Sequence, residues 1–225
     1  SAMKKISIIT PTYNEEENIA LLCEKINNEL SKLNYNYEHI VIDNSSTDNT
    51  VSILRNICKK DKNLKVIVNN KNYGHITSPF YGLLQSSGDA TILMASDFQD
   101  PIELIPQLIK KWEEDSKVVL LQKKSSDENL IIKSMRKLYY RFLSKISNSN
   151  LTIDTTGAGI YDKTVIELFR SIKDPMPYLR GLTSELEGNI ELIKFDQPRR
   201  KSGKTKNDFF TLIDIAMLGF VKHSK

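Results

Sequence analysis

Two aspartates of this sequence end apolar segments, at positions where a carboxylate can act on a charged ligand. Asp43 closes the segment HIVID, and Asp97 follows ATILMAS, with Gln99 two residues later. Carboxylate and amide oxygens are the ligands that hard divalent cations take, and such cations share them with substrate phosphates. The two acids with Gln99 therefore favour a cation or nucleotide site, although one such carboxylate alone is as often a cap for the next helix.

The common glycine-rich phosphate motifs are absent from this sequence. Neither GxxxxGK[ST] nor GxGxxG follows the first apolar segment. Positive charge is instead concentrated in RRKSGKTK, residues 199–206, around Gly203. A solvated basic loop is the ordinary interpretation, and a flexible clamp over a diphosphate is the alternative that the glycine favours. Phosphates, if bound, are then held by a metal ion and basic side chains.

Composition indicates a globular protein, and the mild net charge does not by itself indicate nucleic acid, so no nucleic-acid partner is expected. The 225 residues are 40% hydrophobic and 27% charged, and the formal net charge is only +4. Cys23 and Cys58 lie in segments of helical spacing and are predicted to be reduced core residues. The lone His75 has no second histidine or cysteine nearby, which argues against zinc. No apolar segment reaches transmembrane length, and Ser1–Met3 is interpreted as an expression scar.

Alternating apolar segments and amphipathic helices predict an α/β fold. Strands are expected at 4–10, 39–44, 64–70, 90–96 and 117–123, with helices between them, the first opened by a capping box of Asn14 and Glu17. Such strands predict a mostly parallel, Rossmann-like central sheet with helices on both faces. Ligands of these sheets bind at the carboxyl ends of the strands, where this sequence places PTYN, DNSS and ASD.

The motifs taken in order resemble the family 2 glycosyltransferases. TPTYNEEENI, VIDNSSTDNT and ILMASDFQDPIELI follow the first, second and fourth predicted strands. GAGIYDK, YLRGLTSEL and RRKSGKTKNDFFTLIDIAMLG are similar to the polyprenyl-phosphate branch, which includes dolichyl-phosphate mannose synthase. The resemblance implies one domain of GT-A fold over 4–225, with a nucleotide-sugar-binding half at about 4–125 and an acceptor-side half at about 126–225. It also implies membrane helices beyond the end of this chain.

The resemblance further implies roles for individual residues. The implied nucleotide-sugar contacts are Pro11, Thr12, Tyr13, Glu15, Asp43, Gly74, His75, Ser96 and Asp97. The implied phosphate contacts are Arg180, Arg200, Lys204 and Lys206. The expected catalytic residues are Asp97 and Arg180, with Glu185 as the base if the acceptor is a hydroxyl. Asp97 and Gln99 would bind Mg²⁺ or Mn²⁺ that bridges the donor diphosphate.

Three positions depart from the family pattern. Ala95 replaces the first acid of Asp-Ala-Asp-Leu-Gln-Asp-Pro, and Asn44 replaces the second acid of the usual Asp-Asp pair. The metal is therefore expected to bind weakly, mostly through the diphosphate. Gly157 stands where some relatives have an acid that is proposed to act as a base. A phosphate acceptor is already anionic and needs no base, whereas a sugar hydroxyl does.

The expected activity is that of an inverting hexosyltransferase that moves a sugar from a nucleotide sugar, uridine-linked, to a polyprenyl phosphate. The expected location is the cytoplasmic face of the cell membrane, in cell-wall or surface-polysaccharide synthesis, with a homo-oligomer as one possible state. One alternative extends a saccharide hydroxyl with Glu185 as base and Asp154 as the second choice. A non-catalytic nucleotide-sugar-binding module is another alternative, and a nucleotidyltransferase is a more distant third.

Overall fold

A computed structural model describes residues 2–74, 81–123, 155–171 and 190–196. The strands in these segments are β1 (Lys5–Thr12), β2 (Asn36–Asp43), β3 (Leu64–Val68), β4 (Ala90–Leu93), β5 (Val118–Lys123), β6 (Thr155–Asp162) and β7 (Ile190–Phe195). The helices with both ends in these segments are α1 (Ile19–Ser31), α2 (Thr50–Cys58), α3 (Ile105–Glu113), which follows a 3-10 turn at Ile102–Leu104, and α4 (Lys163–Ser171).

The strands form one mixed sheet in the order β3-β2-β1-β4-β6-β5-β7. Each neighbouring pair is parallel except the two that involve β6, which runs antiparallel to both β4 and β5. The carboxyl ends of the other six strands therefore lie at the same end of the sheet as the amino end of β6. This end is called the upper rim, and the opposite end the lower rim.

Hydrophobic side chains cover both faces of the sheet, as the sequence predicts. One buried cluster joins Ile6 and Ile8 of β1 to residues of α1, α2 and α3. The other joins Ile9 of β1 to Leu83 and to Phe169 of α4. Because successive strand residues alternate between faces, this division places helices on both sides of the sheet. The prediction of a mostly parallel sheet with helices on both faces is confirmed.

Strand β6 (Thr155–Asp162) was not predicted from the sequence. The segment TTGAGIYD contains two glycines, and glycine lowers strand propensity. Gly159 is nevertheless required by packing, because a Cβ atom there would lie 2.0 Å from the carbonyl oxygen of Val119 on β5. The close approach of two backbones therefore explains a residue type that local propensity counts against a strand.

The predicted capping box at Asn14 is wrong. Helix α1 begins at Ile19, after Asn18. Asn14 lies four residues earlier in a turn, with a positive φ of 49°. Its side chain bonds to Thr47 in the loop that follows β2 rather than to the helix. A residue that matches a capping pattern in sequence therefore makes a contact between two loops instead. Both cysteines are free, as predicted, and Cys23 is buried.

A buried histidine lies below the upper rim, on the face covered by α1 and α2. Nε2 of His39 is 2.8 Å from the Thr10 hydroxyl, and both residues are buried. Burial lowers the pKa of His39 to about 3, so the folded protein keeps this ring neutral where an unfolded chain protonates it near pH 6.5. The unfolded state then binds the additional proton, and the free energy of unfolding falls as the pH drops below 6.5.

We therefore expect His39 to make the protein sensitive to acid. Between pH 7 and pH 5 its neutral state should reduce the free energy of unfolding by about 2 kcal/mol. His39→Gln removes the titration and should show a decrease smaller by that amount, measured by urea unfolding at both pH values. Equal decreases in the two proteins would contradict the assignment.

Candidate active site

The polar ends of β1 and β2 meet at the upper rim because of the register between the two strands. Thr12 is paired with Asp43 in this register. The ladder continues one step further, since the Asn44 amide donates to the Thr12 carbonyl at 2.8 Å and the Asn69 amide donates to the Asp43 carbonyl at 2.8 Å. The loops that follow β1, β2 and β3 therefore leave the sheet side by side.

The loops after β1 and β2 are joined by hydrogen bonds between side chains and backbone. The side-chain oxygen of Asn14 accepts from the Thr47 backbone amide at 2.8 Å, and the Asn14 backbone amide donates to the Ser46 hydroxyl at 2.9 Å. Further along, the Glu15 amide donates to the Thr50 hydroxyl at 2.9 Å. These bonds cross between motifs some thirty residues apart in sequence, so TPTYN and DNSST form one structural unit.

Two acidic residues of this unit are buried and bonded to protein groups. Oδ2 of Asp43 accepts from the Ser46 amide at 2.9 Å, and its Oδ1 accepts from the Ser46 hydroxyl at 2.5 Å. Oε2 of Glu15 accepts from the Asn18 carboxamide at 2.9 Å. Both carboxylates therefore shape the loops, while Pro11 and Tyr13 beside them are half-buried.

The loop after β4 is a tight turn that presents Asp97 and Gln99. Asp100 closes the turn, because its Oδ2 accepts from the Ala95 amide at 2.8 Å. Within the turn, the Gln99 amide donates to Oδ1 of Asp97 at 3.2 Å. Asp97 and Gln99 are half-buried, whereas Ser96 is buried with only 5% exposure. Asp97 and Gln99 therefore lie near the surface of the upper rim, on a turn fixed by backbone bonds.

Phe98 anchors this turn in the hydrophobic core. It has a positive φ of 64°, which is rare for a bulky residue. Its ring is buried in the cluster under α1, and the Lys25 ammonium lies 5.4 Å from the ring centroid. A strained conformation of this kind persists only where the surroundings fix it, and here it is fixed between the two residues predicted to bind metal.

The oxygen ligands at the upper rim fit a metal ion that is held in part by the phosphates of a bound substrate. Among the described residues, no group of three or more histidine, cysteine, aspartate and glutamate side chains could hold a metal ion. Asp97 and Gln99 offer a carboxylate and an amide oxygen, which suits Mg²⁺ bound through one or two protein groups and substrate phosphates.

Gly157 lies near the amino end of β6, at the upper rim. Its φ is 86°, a conformation that residues with a side chain rarely adopt. Its carbonyl accepts a hydrogen bond from the buried Tyr161 hydroxyl, and burial raises the pKa of that phenol. An acidic residue at this position would be strained, so the departure from the family pattern agrees with the local backbone.

A second polar cluster, near the lower rim, was missed from sequence. Glu38 is buried and pairs with the Lys5 ammonium at 3.1 Å and the Lys65 ammonium at 2.5 Å. Burial raises the pKa of this carboxyl, but hydrogen bonds from Lys65, Ser7 and Ser87 outweigh burial and lower it to about 2. The cluster connects β2 to the start of β1 and to the segment before β4, away from the upper rim.

Several predicted site residues lie outside the described residues: His75, Asp154, Arg180, Glu185, Arg200, Lys204 and Lys206. Gly74 is described and has a φ of 84°. β7 ends at Phe195 on the upper rim, paired with Lys123 of β5, and the basic segment begins four residues later in sequence. The roles of all these residues remain predictions.

The chain belongs to the family described as glycosyl transferase family 2, whose model matches residues 7–169. The uncharacterized glycosyltransferase YkcC of Bacillus subtilis (strain 168) is 29% identical over 219 residues, which are 97% of this chain and 68% of that protein. The bactoprenol glucosyl transferase of Shigella phage SfV is 27% identical over 221 residues, which are 98% of this chain and 72% of that protein. The protein is therefore a glycosyltransferase.

Solved structures of similar shape confirm the GT-A fold. Glucosyl-3-phosphoglycerate synthase from Mycobacterium tuberculosis, in complex with Mn²⁺, uridine diphosphate and phosphoglyceric acid, has a TM-score of 0.69 at 17% identity and covers 98% of this chain and 78% of its own. S. aureus TarS in complex with UDP-GlcNAc has a TM-score of 0.55 at 20% identity and covers 98% and 68%. Within the described part of this chain, no helix has the length and apolar character to cross a membrane.

The positive φ of Phe98 predicts the relative stability of two variants at this position. Phe98→Ala should lower the free energy of unfolding by about 3–4 kcal/mol through loss of the buried ring. Phe98→Gly should be more stable than Phe98→Ala by about 1 kcal/mol, because glycine adopts a positive φ without penalty. Urea unfolding of both variants measures the difference.

A matched pair in a regular helix provides the control. Leu108 is buried in α3, where glycine should be about 1 kcal/mol less stable than alanine. If Phe98 variants follow the same order as Leu108→Ala and Leu108→Gly, the turn does not hold a left-handed residue in solution.

Proposed function

We propose that this glycosyltransferase transfers a sugar, with inversion, from a uridine-linked nucleotide sugar to a polyprenyl phosphate on the cytoplasmic face of the membrane. The observation that carries the donor half is the convergence of the β1, β2 and β4 loops at one rim of the sheet. Similarity to a bactoprenol glucosyl transferase supports a lipid-phosphate acceptor. The glucosyl-3-phosphoglycerate synthase of similar fold, which was solved with Mn²⁺ and uridine diphosphate, supports a uridine-linked donor.

The joined loops after β1 and β2 form the wall proposed for the base and ribose. Thr12 and Asp43 are adjacent in register, and Tyr13 is half-buried beside them. The hydrogen bonds from Ser46 fix the Asp43 carboxylate before a ligand arrives. A site fixed in this way loses less conformational entropy on binding, so the loop bonds support a preformed nucleoside site.

The β4 turn is proposed to hold the diphosphate end of the donor. Asp97 and Gln99 would hold Mg²⁺ or Mn²⁺, which would stabilise the charge that develops on the leaving diphosphate. Ala95 provides no carboxylate, so donor phosphate oxygens would complete the coordination. Arg180, Arg200, Lys204 and Lys206 are proposed to bind phosphate groups of donor or acceptor.

The reaction itself requires little acid–base chemistry from the protein. An oxygen of the acceptor phosphate attacks the anomeric carbon of the donor from the side opposite the departing diphosphate, and the bond from that carbon to the diphosphate oxygen breaks. The nucleoside diphosphate leaves with the electron pair, which inverts the anomeric configuration. The acceptor oxygen already carries negative charge, so the glycine at position 157 does not prevent the attack.

The proposed metal role predicts a specific loss in Asp97→Asn. For the wild-type protein, one of uridine, guanosine, cytidine and thymidine diphosphates, expected to be uridine diphosphate, should raise Tm, and the rise should require Mn²⁺. Asp97→Asn should lose the Mn²⁺-dependent part, and its kcat/KM for transfer should fall about 100-fold or more. Thermal denaturation with and without Mn²⁺, followed by radiolabelled transfer, measures both.

Asp115→Asn is the matched control, since it makes the same change in charge at the end of α3, near the lower rim. It should keep the metal-dependent rise in Tm. A rise that needs no Mn²⁺ and is unchanged in Asp97→Asn would leave a nucleotide-binding protein without the proposed metal site. No rise with any nucleotide would contradict the proposed donor site. A rise with uridine diphosphate but no detectable transfer would favour the non-catalytic nucleotide-sugar-binding module.

The acceptor half is tested by offering a polyprenyl phosphate and a free saccharide with the same donor. Transfer should occur to the lipid phosphate, and Glu185→Gln should retain more than about one third of that rate, because a phosphate needs no general base. Transfer to the saccharide alone, abolished by Glu185→Gln, would instead establish the alternative in which Glu185 acts as base.

A further inference from the structure

The buried carboxamide of Asn44 is the junction between the upper rim and the loop that follows β3. Asn44 directly follows the last residue of β2 and is only 7% exposed. Its backbone amide donates to the Thr12 carbonyl, and its side chain forms hydrogen bonds with residues 69, 72, 73 and 74. This is the position at which the chain departs from the acidic pair of the family pattern.

The orientation of the Asn44 carboxamide is fixed by a backbone group. The Tyr73 amide lies 2.8 Å from Oδ1 of Asn44, and a backbone amide can only donate. Nδ2 therefore faces the other way, where it donates to Oδ1 of Asn72 at 2.6 Å and more weakly to the Gly74 carbonyl at 3.5 Å. Oδ1 of Asn72 is an acceptor in turn, because the Gly74 amide donates to it at 2.8 Å.

An ionised carboxylate in place of this carboxamide could not make the same bonds. It would still accept from Tyr73, but its second oxygen would face two oxygen atoms, those of Asn72 and Gly74. A buried carboxylate accepts hydrogen bonds and donates none, and an unsatisfied, repulsive contact of this kind is costly. The loop conformation therefore requires a donor at position 44, which the usual acid would not supply.

The loop fixed in this way lies beside the proposed nucleoside wall. The Asn69 amide bonds to the carbonyl of Asp43, and the loop ends at Gly74, a predicted donor contact. Tyr73 is 40% exposed, and the Lys71 ammonium lies 5.1 Å from its ring centroid. An aromatic ring with a cation beside it suits a base or a phosphate of a nucleoside diphosphate.

We propose that Asn44 is a positioning residue that holds loop 69–74 as one wall of the donor site, which rests on the proposed function. The substitution of an acid by asparagine then adds a hydrogen-bond donor that organises the site. A wall of the donor site affects the affinity for the nucleotide sugar, so a change at Asn44 should alter KM for the nucleotide sugar rather than kcat.

Two isosteric substitutions separate this role from a simple effect of charge. Asn44→Asp removes the Nδ2 donor. Asn72→Asp adds the same charge to loop 69–74 but keeps the acceptor oxygen to which Asn44 and Gly74 donate. Asn44→Asp should raise KM for the donor at least tenfold at pH 8, with kcat changed less than threefold. Asn72→Asp should raise KM by threefold at most.

The pH dependence gives a signature that general destabilisation would not produce. Burial and the facing oxygen atoms of Asn72 and Gly74 should raise the pKa of the introduced carboxyl group well above its ordinary value. Its protonation restores a donor toward Asn72, so the KM ratio of Asn44→Asp to wild type should shrink as the pH falls from 8 to 6. The ratio for Asn72→Asp should stay constant. If Asn44→Asp does not fold, Asn72→Ala provides a second test, because Asn72 is exposed and its loss removes the 2.6 Å bond from Asn44. Asn72→Ala should raise KM about threefold to tenfold.

Hydrogen exchange tests the loop without depending on turnover. The amides of Tyr73 and Gly74 should exchange at least tenfold faster in Asn44→Asp than in wild type and Asn72→Asp. Equal exchange and equal KM in the two aspartate variants would overturn the positioning role. If the wild-type protein binds no nucleoside diphosphate, the proposed function fails and the donor wall with it, whereas faster exchange in Asn44→Asp alone would still establish Asn44 as the residue that fixes the loop.

Discussion

The parallel pairing of β1 with β2 is the constraint on which the upper rim depends. It places Thr12 opposite Asp43, and only then can Asn14 reach Thr47 and Ser46 across the gap between the loops. Buried polar groups need partners, and this pairing supplies one for the backbone of Asn44, whose amide donates to the Thr12 carbonyl. A shift of one residue between the strands would turn every side chain to the opposite face and separate the two loops.

The antiparallel strand β6 decides how the second half of the chain joins the first. It lies between β4 and β5, so β5 and β7 regain the direction of β1 and end at the upper rim. The close approach at Gly159 allows this insertion, because no side chain separates β6 from Val119. Chain segments distant in sequence are thereby delivered to the rim that carries Asp97.

The carboxylates at the two ends of the sheet have different hydrogen-bond partners. Near the lower rim, Glu38 is paired with two lysines, and its pKa is lowered to about 2. At the upper rim, Asp43, Asp97 and Asp100 each accept a hydrogen bond from a backbone amide. Backbone amides fix a carboxylate without adding a full positive charge beside it, which leaves its negative charge for a cation.

The sequence by itself determined the α/β class, most of the strands and the rim at which polar residues converge. Apolar segments that alternate with amphipathic helices have few other stable arrangements, and the strand ends of such a sheet identify the site. The motifs around Asp43 and Asp97 also identified the family, which the comparison with known proteins confirmed.

Only the tertiary structure decided what Asn14, Asn44 and Phe98 do. Their partners lie in other segments of the chain, at Thr47, at Asn72 and Tyr73, and in the core under α1. A local pattern assigned Asn14 to a helix cap and could not assign β6 to a strand, since neither contact is local. Side-chain type and spacing predict chemistry along one chain segment, but hydrogen bonds and close approaches between segments exist only after the sheet has formed.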